Sequence, residues 1–101
     1  MKIILVCSAG MSTSMLVQKM RKAAQEKGLS ATIDATSEAE LGNHLDHTNV
    51  ILIGPQVRYL APKIKSKAEP HGIKVDIINS MYYGTMNGDK VLEQAQGLLE
   101  G

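Results

Sequence analysis

Hydrophobic positions along this chain follow two rhythms. Short, dense apolar runs at Ile3–Val6, Ala31–Ala35, Val50–Ile53 and Lys74–Ile78 predict four strands. The first run has no polar alternation, which suits a strand buried on both faces. Between the runs the apolar positions spread to a helical period. Leu16, Met20 and Ala24 fall at i, i+4 and i+8, with Met15 and Ala23 flanking them, while Lys19, Arg21, Lys22 and Glu26 take the other side. This predicts a helix from about Thr13 to Lys27, closed by Gly28 just past its end. Ser37, with Glu40 three residues on, reads as a capping box opening a short helix toward Asp46 that Gly42 weakens. The third strand stops at Gly54-Pro55, and a helix is predicted from close to Gln56. Pro62 within it demands a kink or an early break, and Pro70 and Gly72 end it. Asn79 to Gly84 reads as a loop. A last helix is predicted from about Gly88 to Leu99, burying Val91, Leu92, Ala95, Leu98 and Leu99.

Strands alternating with helices imply an α/β fold: an open, doubly wound, four-stranded parallel sheet with helices on both faces. Right-handed crossovers and the usual winding give the order 2-1-3-4, with a switch point between strands one and three. Ligands in such sheets bind at the carboxyl ends of the strands beside the switch. The loops predicted to meet there are Cys7–Ser12 and Gly54–Gln56. A length of 101 residues implies one domain, residues 1–101.

Composition narrows the function. Eleven Lys and Arg against 10 acids leave a formal charge of +1, without the basic stripe or stacking aromatics of a nucleic-acid binder. With no Trp or Phe and six Met, aliphatics and methionine must fill the interior. One cysteine forms no internal disulfide, and the apolar stretch after Met1-Lys2 is too short for a signal-peptide core or a membrane span. The expectation is a soluble, cytoplasmic protein with no direct membrane insertion.

The chemistry concentrates where the first strand ends. Cys7 is followed by Ser8, Ala9, Gly10, Met11, Ser12, Thr13 and Ser14, and then by the helical pattern. A strand, a small-residue loop and a helix N-terminus together form an anion site, because the first helical N–H groups lack internal partners and the macrodipole favours negative charge. Backbone N–H groups from Ser8 to Thr13 can curl round phosphoryl oxygens, with Gly10 permitting a left-handed step. Ser8, Ser12, Thr13 and Ser14 add hydroxyls. A thiol beside such a cradle has its ionised form stabilised. The reading is a sulfur at the rim that accepts a phosphoryl group and hands it on; a sulfur entombed and turned from the amides would overturn it. The plainer alternatives are a small buried hydrophobe at a strand end for Cys7, and a simple N-cap for Ser12 or Thr13.

Cys7-Ser8-Ala9-Gly10-Met11-Ser12-Thr13-Ser14 directly after an apolar first strand resembles the phosphorylation loop of the enzyme IIB component of the bacterial phosphoenolpyruvate-dependent sugar phosphotransferase system. The lactose/chitobiose (cellobiose) branch matches best, and the resemblance spans the whole chain. Gly54-Pro55-Gln56 and Tyr83-Gly84 look like that branch as well. The resemblance implies that Cys7 receives a phosphoryl group from a phosphohistidine on a IIA partner and passes it to a sugar held by a membrane-embedded IIC partner. It implies no cofactor and no metal, and one rim that serves both partners in turn. Low-molecular-weight tyrosine phosphatases and arsenate reductases are the alternative on a similar loop. The phosphatase loop is Cys-x5-Arg, but Thr13 stands at the Arg position here, no Asp-Pro pair supplies a general acid, and a second cysteine is lacking.

Other residues carry plainer readings. Asp34, Asp46 and Asp76 at or near strands are taken as solvated or capping acids. His44 and His47 have a ligand-like spacing, yet nothing else in the sequence converges with them, and His71 sits in a turn. Arg58 and Tyr59 follow the Gly-Pro-Gln turn on the side of the thiol, where Arg58 could help hold a phosphate or meet an acidic partner, although an exposed first-turn role suffices. Tyr82 and Tyr83 either rim the site or cover the sheet edge. Met11 is expected to be exposed beside the thiol.

Overall fold

The computed structural model describes residues 1–7 and 10–100, and for residues 10–13 the backbone without the side chains. Among the described residues the strands are β1 (Lys2–Val6), β2 (Thr32–Thr36), β3 (Val50–Ile53) and β4 (Lys74–Ile77), and the helices are α1 (Gly10–Glu26), α2 (Ala61–Ala68), α3 (Ser80–Gly84) and α4 (Gly88–Glu100). All strand pairs are parallel, in the order β2-β1-β3-β4, as the winding rules predict. In register, Ile4 faces Asp34 on one side and Ile51 on the other, while Val6 faces Thr36 and Ile53.

Alternation splits the sheet's side chains between two layers. Ile3, Leu5, Ile33, Val50 and Leu52 pack against Leu16, Met20, Ala23 and Ala24 of α1 and Val91, Leu92 and Ala95 of α4. Ile4, Val6, Ile51 and Ile53 pack against Leu41, Val57, Ala61, Ile64 and Ala68. Burying a Leu, Ile or Met side chain contributes about 1.5–3 kcal/mol, so these layers fix which way each helix faces. The full burial of Leu16 and Met20 matches their spacing, but Met15 and Leu99 are exposed, because each falls outside the stripe that touches the sheet. Gly28 has φ +67°, and the N–H of Leu29 donates to the Ala24 carbonyl while that of Gly28 donates to Gln25, a Schellman closure of α1.

Several boundaries differ from the sequence reading. Helix α1 opens at Gly10, so Ser12 and Thr13 belong to its first turn and do not stand as its cap. The segment after β2 is a 3₁₀ helix, Glu38–His44, whose Ser37 makes no side-chain cap bond. Glu40 reaches Ser37 through its backbone N–H alone, and Glu38 is drawn instead to Lys63 and Lys67. The break expected at Pro62 falls before it. A 3₁₀ stretch at Pro55–Leu60 with non-helical Val57 gives way to α2, whose first turn accommodates the proline. Asn79–Gly84, read as a loop, is the short helix α3, capped by Asn79, whose side chain accepts the Met81 N–H.

Candidate functional site at the carboxyl ends of β1 and β3

Residue 7 directly follows the inner strand β1. Its N–H still donates to the Thr36 carbonyl of β2 at 3.4 Å, a long last bond of the ladder. Cys7 is buried, 5% exposed, and belongs to neither apolar layer. The thiol residue is therefore more enclosed than a rim position implies. Of the predicted cradle, Ser8 and Ala9 lie outside the described residues. Gly10, Met11, Ser12 and Thr13 are described as backbone in the opening turn of α1, and nothing is described of their side chains, including the expected exposure of Met11. In a helix the first four N–H groups have no partner inside the helix, and here those are the N–H groups of residues 10–13. Ser14 is exposed on the next turn.

The β3 side of the site is built from the Gly54-Pro55-Gln56 turn, as the topology requires. The Gly54 N–H donates to the Val6 carbonyl at 2.8 Å, which ties the turn to the residue before the thiol. A side chain at position 54 would put its first carbon 2.8 Å from Gln56 Oε1 and 3.4 Å from the Val6 carbonyl oxygen. Glycine leaves room there for the Gln56 amide to lie against the strand ends. The Gln56 Nε2 group donates to the Tyr83 hydroxyl at 2.8 Å, joining the turn after β3 to α3 after β4. Arg58 strengthens that joint through Nε to the Pro55 carbonyl at 3.2 Å and Nη2 to Ser80 Oγ at 3.4 Å. Arg58 and Tyr59 are exposed, and Tyr82 and Tyr83 are half-buried against the α1/α4 layer.

Two groups that sequence reasoning passed over hold this end together. Gln94 of α4 donates from Nε2 to Asp76 Oδ2 at 2.9 Å and to the Ile77 carbonyl at 2.8 Å, and its Oε1 accepts the Asn79 N–H at 3.1 Å. Its place in the helical pattern gave no sign of this. Glu38 receives Lys63 at 2.9 Å and Lys67 at 3.2 Å, and hydrogen bonding from Lys63, then Lys67, holds its carboxyl below the usual carboxylate range.

The remaining candidates are dispersed. Asp34 pairs with Arg21 Nη2 at 2.8 Å on the β2 edge. The carbonyl of Asp46 accepts from Lys2 Nζ at 3.5 Å at the opposite end of the sheet. His47 has a left-handed backbone, the His44 carbonyl takes the hydroxyl of buried Thr48, and His71 is exposed. Among the described residues no group of three or more His, Cys, Asp or Glu side chains is arranged to hold a metal ion, and no helix is long and apolar enough to cross a membrane.

Residues 2–94 match the family model described as the PTS system lactose/cellobiose-specific IIB subunit. The chain is 46% identical over 102 aligned residues to the galactose-specific EIIB component of Lactococcus lactis subsp. cremoris (strain MG1363), covering 96% of this chain and 94% of the relative. It is 46% identical to a solved cellobiose-specific phosphotransferase IIB component from Borrelia burgdorferi, with a TM-score of 0.81 over 99% of this chain and 92% of that one. A low-molecular-weight protein tyrosine phosphatase from Bacillus subtilis superposes with a TM-score of 0.60 at 15% identity, over 99% of this chain and 97% of that one, a likeness of fold alone.

Proposed function

The chain belongs to the family of lactose/cellobiose-specific IIB subunits of the sugar phosphotransferase system, and on that premise we propose that Cys7 is its phosphoryl carrier. Membership makes the protein a phosphotransferase component. In the first step the thiolate sulfur attacks phosphorus of a phosphohistidine on a IIA partner. The N–P bond breaks and its electron pair stays on the imidazole nitrogen. In the second, a hydroxyl oxygen of a sugar held by a membrane IIC partner attacks the same phosphorus. The S–P bond breaks, its pair returns to sulfur, and the hydroxyl proton passes to a base on the partner. Transfer of this kind depends on positioning and on charge stabilisation.

The observation that carries the reading is where residue 7 sits. It directly follows an inner strand, β1, at the switch point, three positions before a 17-residue helix begins, with the Gly54 turn bonded to the residue preceding it. The residues beyond it, Ser8, Ala9, Gly10, Met11, Ser12, Thr13 and Ser14, are the proposed cradle for the phosphoryl oxygens. Because Cys7 is enclosed, donor and acceptor must uncover the sulfur as they dock, and both need the same approach. The protein then acts on the cytoplasmic side, as one unit, with its two partners in turn. Neither a cofactor nor a metal enters either step.

The test is incubation with the phosphoryl-donor cascade followed by peptide mapping of the added mass. It is expected on Cys7 and absent from Cys7→Ser, since a serine hydroxyl is scarcely ionised at neutral pH. Mass on a histidine would overturn the proposal. The phosphorylated protein should also outlast a phosphatase intermediate when no acceptor is present. Hydrolysis within seconds would favour the phosphatase reading instead.

A further inference from the structure

Arg58 is a positive charge at the carboxyl end of the sheet that the fold leaves without a negative partner. Arg21 is committed to Asp34, Lys63 and Lys67 to Glu38, and Lys27 and Lys90 to Glu93. Arg58 enters no ion pair among the described residues; its Nε donates to the Pro55 carbonyl and its Nη2 to Ser80 Oγ, both neutral acceptors. Those bonds hold the guanidinium across the exits of β3 and β4, roughly 5–10 Å to the side of the exit of β1 by the ordinary spacing of strands. From Cys7 to Gln18 the chain has no lysine or arginine, so the proposed cradle brings no cation of its own. The residues that follow the two bonded side chains, Tyr59 after Arg58 and Met81 after Ser80, are each 72% exposed, the highest values among the exposed large hydrophobic residues. One exposed apolar side chain is ordinary, but a Tyr and a Met on either side of an uncommitted Arg are the residue types in which interface cores are enriched.

We propose that the seam of Arg58, Tyr59 and Met81 is a docking patch for the protein that brings the phosphoryl group, and that Arg58 makes the patch prefer that donor in its phosphorylated form. The inference rests on the carrier reading of Cys7 and extends it to how the donor is chosen. The occupant follows from charge. A donor arrives with a phosphoryl dianion and leaves without it, whereas a sugar hydroxyl arrives neutral. An uncommitted cation within about a Debye length, ~8–10 Å, attracts the first and is indifferent to the other two. Arg58 stands at the side and is exposed, so its charge acts on encounter and release and not on the chemical step. Tyr59 and Met81 meet the donor's scaffold in either form and supply the affinity that a single exposed charge lacks. Once the dianion has passed to Cys7, the discharged donor is no longer drawn to Arg58, and only such a difference in affinity can favour exchange of one form for the other.

The experiment uses a IIA protein of the same branch, phosphorylated on its histidine or left unphosphorylated. It compares the parent with Arg58→Gln, with Arg58→Lys, and with a variant carrying both Tyr59→Ala and Met81→Ala. With phosphorylated donor at low salt, Arg58→Gln is expected to raise the KM for phosphorylation of Cys7 about three-fold with kcat unchanged, the size of one exposed charge contact. The difference should close in about 0.5 M salt, and Arg58→Lys, which keeps the charge, should recover most of it. Binding of the unphosphorylated donor to Arg58→Gln should match the parent's. The double variant should weaken both donor forms alike, by about five-fold or more. An Arg58 that serves only to hold Pro55 and Ser80 would weaken both forms equally when replaced and respond little to salt, and that result overturns the inference. So does an unchanged KM, or a double variant that binds as the parent does. A loss confined to transfer from phosphorylated Cys7 to sugar in IIC-containing membrane vesicles would give the patch to the acceptor and overturn it too. A parent that takes no phosphoryl group at Cys7 would instead bring down the carrier reading, and this inference with it.

Discussion

The two ends of the sheet are finished differently. At the amino end the strands are stitched mainly through backbone. Asn49 accepts the Lys2 N–H on its side chain at 2.8 Å, returns its own N–H to the Lys2 carbonyl at 2.9 Å, and takes the Lys74 N–H on its carbonyl at 3.1 Å. At the carboxyl end side-chain links between different elements are added: Gln56 to Tyr83, Arg58 to Ser80, Gln94 to Asp76. There too lies the long Cys7–Thr36 backbone bond. Backbone stitching is indifferent to which residues supply it and serves stability. Side-chain links fix particular atoms relative to one another, and they gather at the end where the proposed phosphoryl carrier lies.

Substitutions at the two ends should therefore separate stability from transfer. The largest effect is expected from Gly54→Ala, whose new methyl would displace the Gln56 amide. Phosphoryl transfer measured with the donor protein should fall about ten-fold, an energy of ~1.4 kcal/mol. Asn49→Ala, at the other end, should cost about 1 kcal/mol of stability, read as a melting point lower by roughly 4–8 °C, with transfer unchanged. A loss of transfer there would erase the contrast. Tyr83→Phe removes the acceptor of the Gln56 bond and should slow transfer about three-fold, roughly 0.6 kcal/mol, with melting little altered. The smallest effect belongs to Glu38→Gln. Because Lys63 and Lys67 depress the folded-state value of that carboxyl, its contribution is complete above the ordinary carboxylate value and fades as pH falls through the depressed one. Melting of the parent and of Glu38→Gln should thus differ at neutral pH and converge in acid, and added salt should shrink the difference.

Much of the scaffold was legible in the sequence. The apolar runs located every strand within a residue or so, most plainly β1 and β3, which are buried on both faces and leave little room for polar residues. The crossover rules then set the order β2-β1-β3-β4 and brought the Gly54 turn beside residue 7. The start of α1 was less legible. Gly10, Met11 and Ser12 have poor or unpatterned helical signals, and the helix begins among them because position at the sheet's end outweighs propensity. Helix α3 spans five residues, too few for periodicity, and the one available signal was Asn79 as an N-cap. The capping box at Ser37 and Glu40 does not form, since Glu40 meets Ser37 through its backbone N–H alone, and the acid of that turn which finds side-chain partners is Glu38, on lysines of α2 too distant in sequence for any local pattern to contain. The site divides in the same way. Cys7 is singled out by its neighbours in sequence as the proposed carrier, but the bracing by Gln94 exists only in three dimensions.

The outer strands carry one last consequence. Each sets a carboxylate within its length, Asp34 tethered to Arg21 and Asp76 to Gln94. A foreign strand laid along either border would have to strip water from a charge already committed to a helix of this chain. Both borders are thereby poor templates for accretion, so the sheet is guarded against growing by edge pairing at either side.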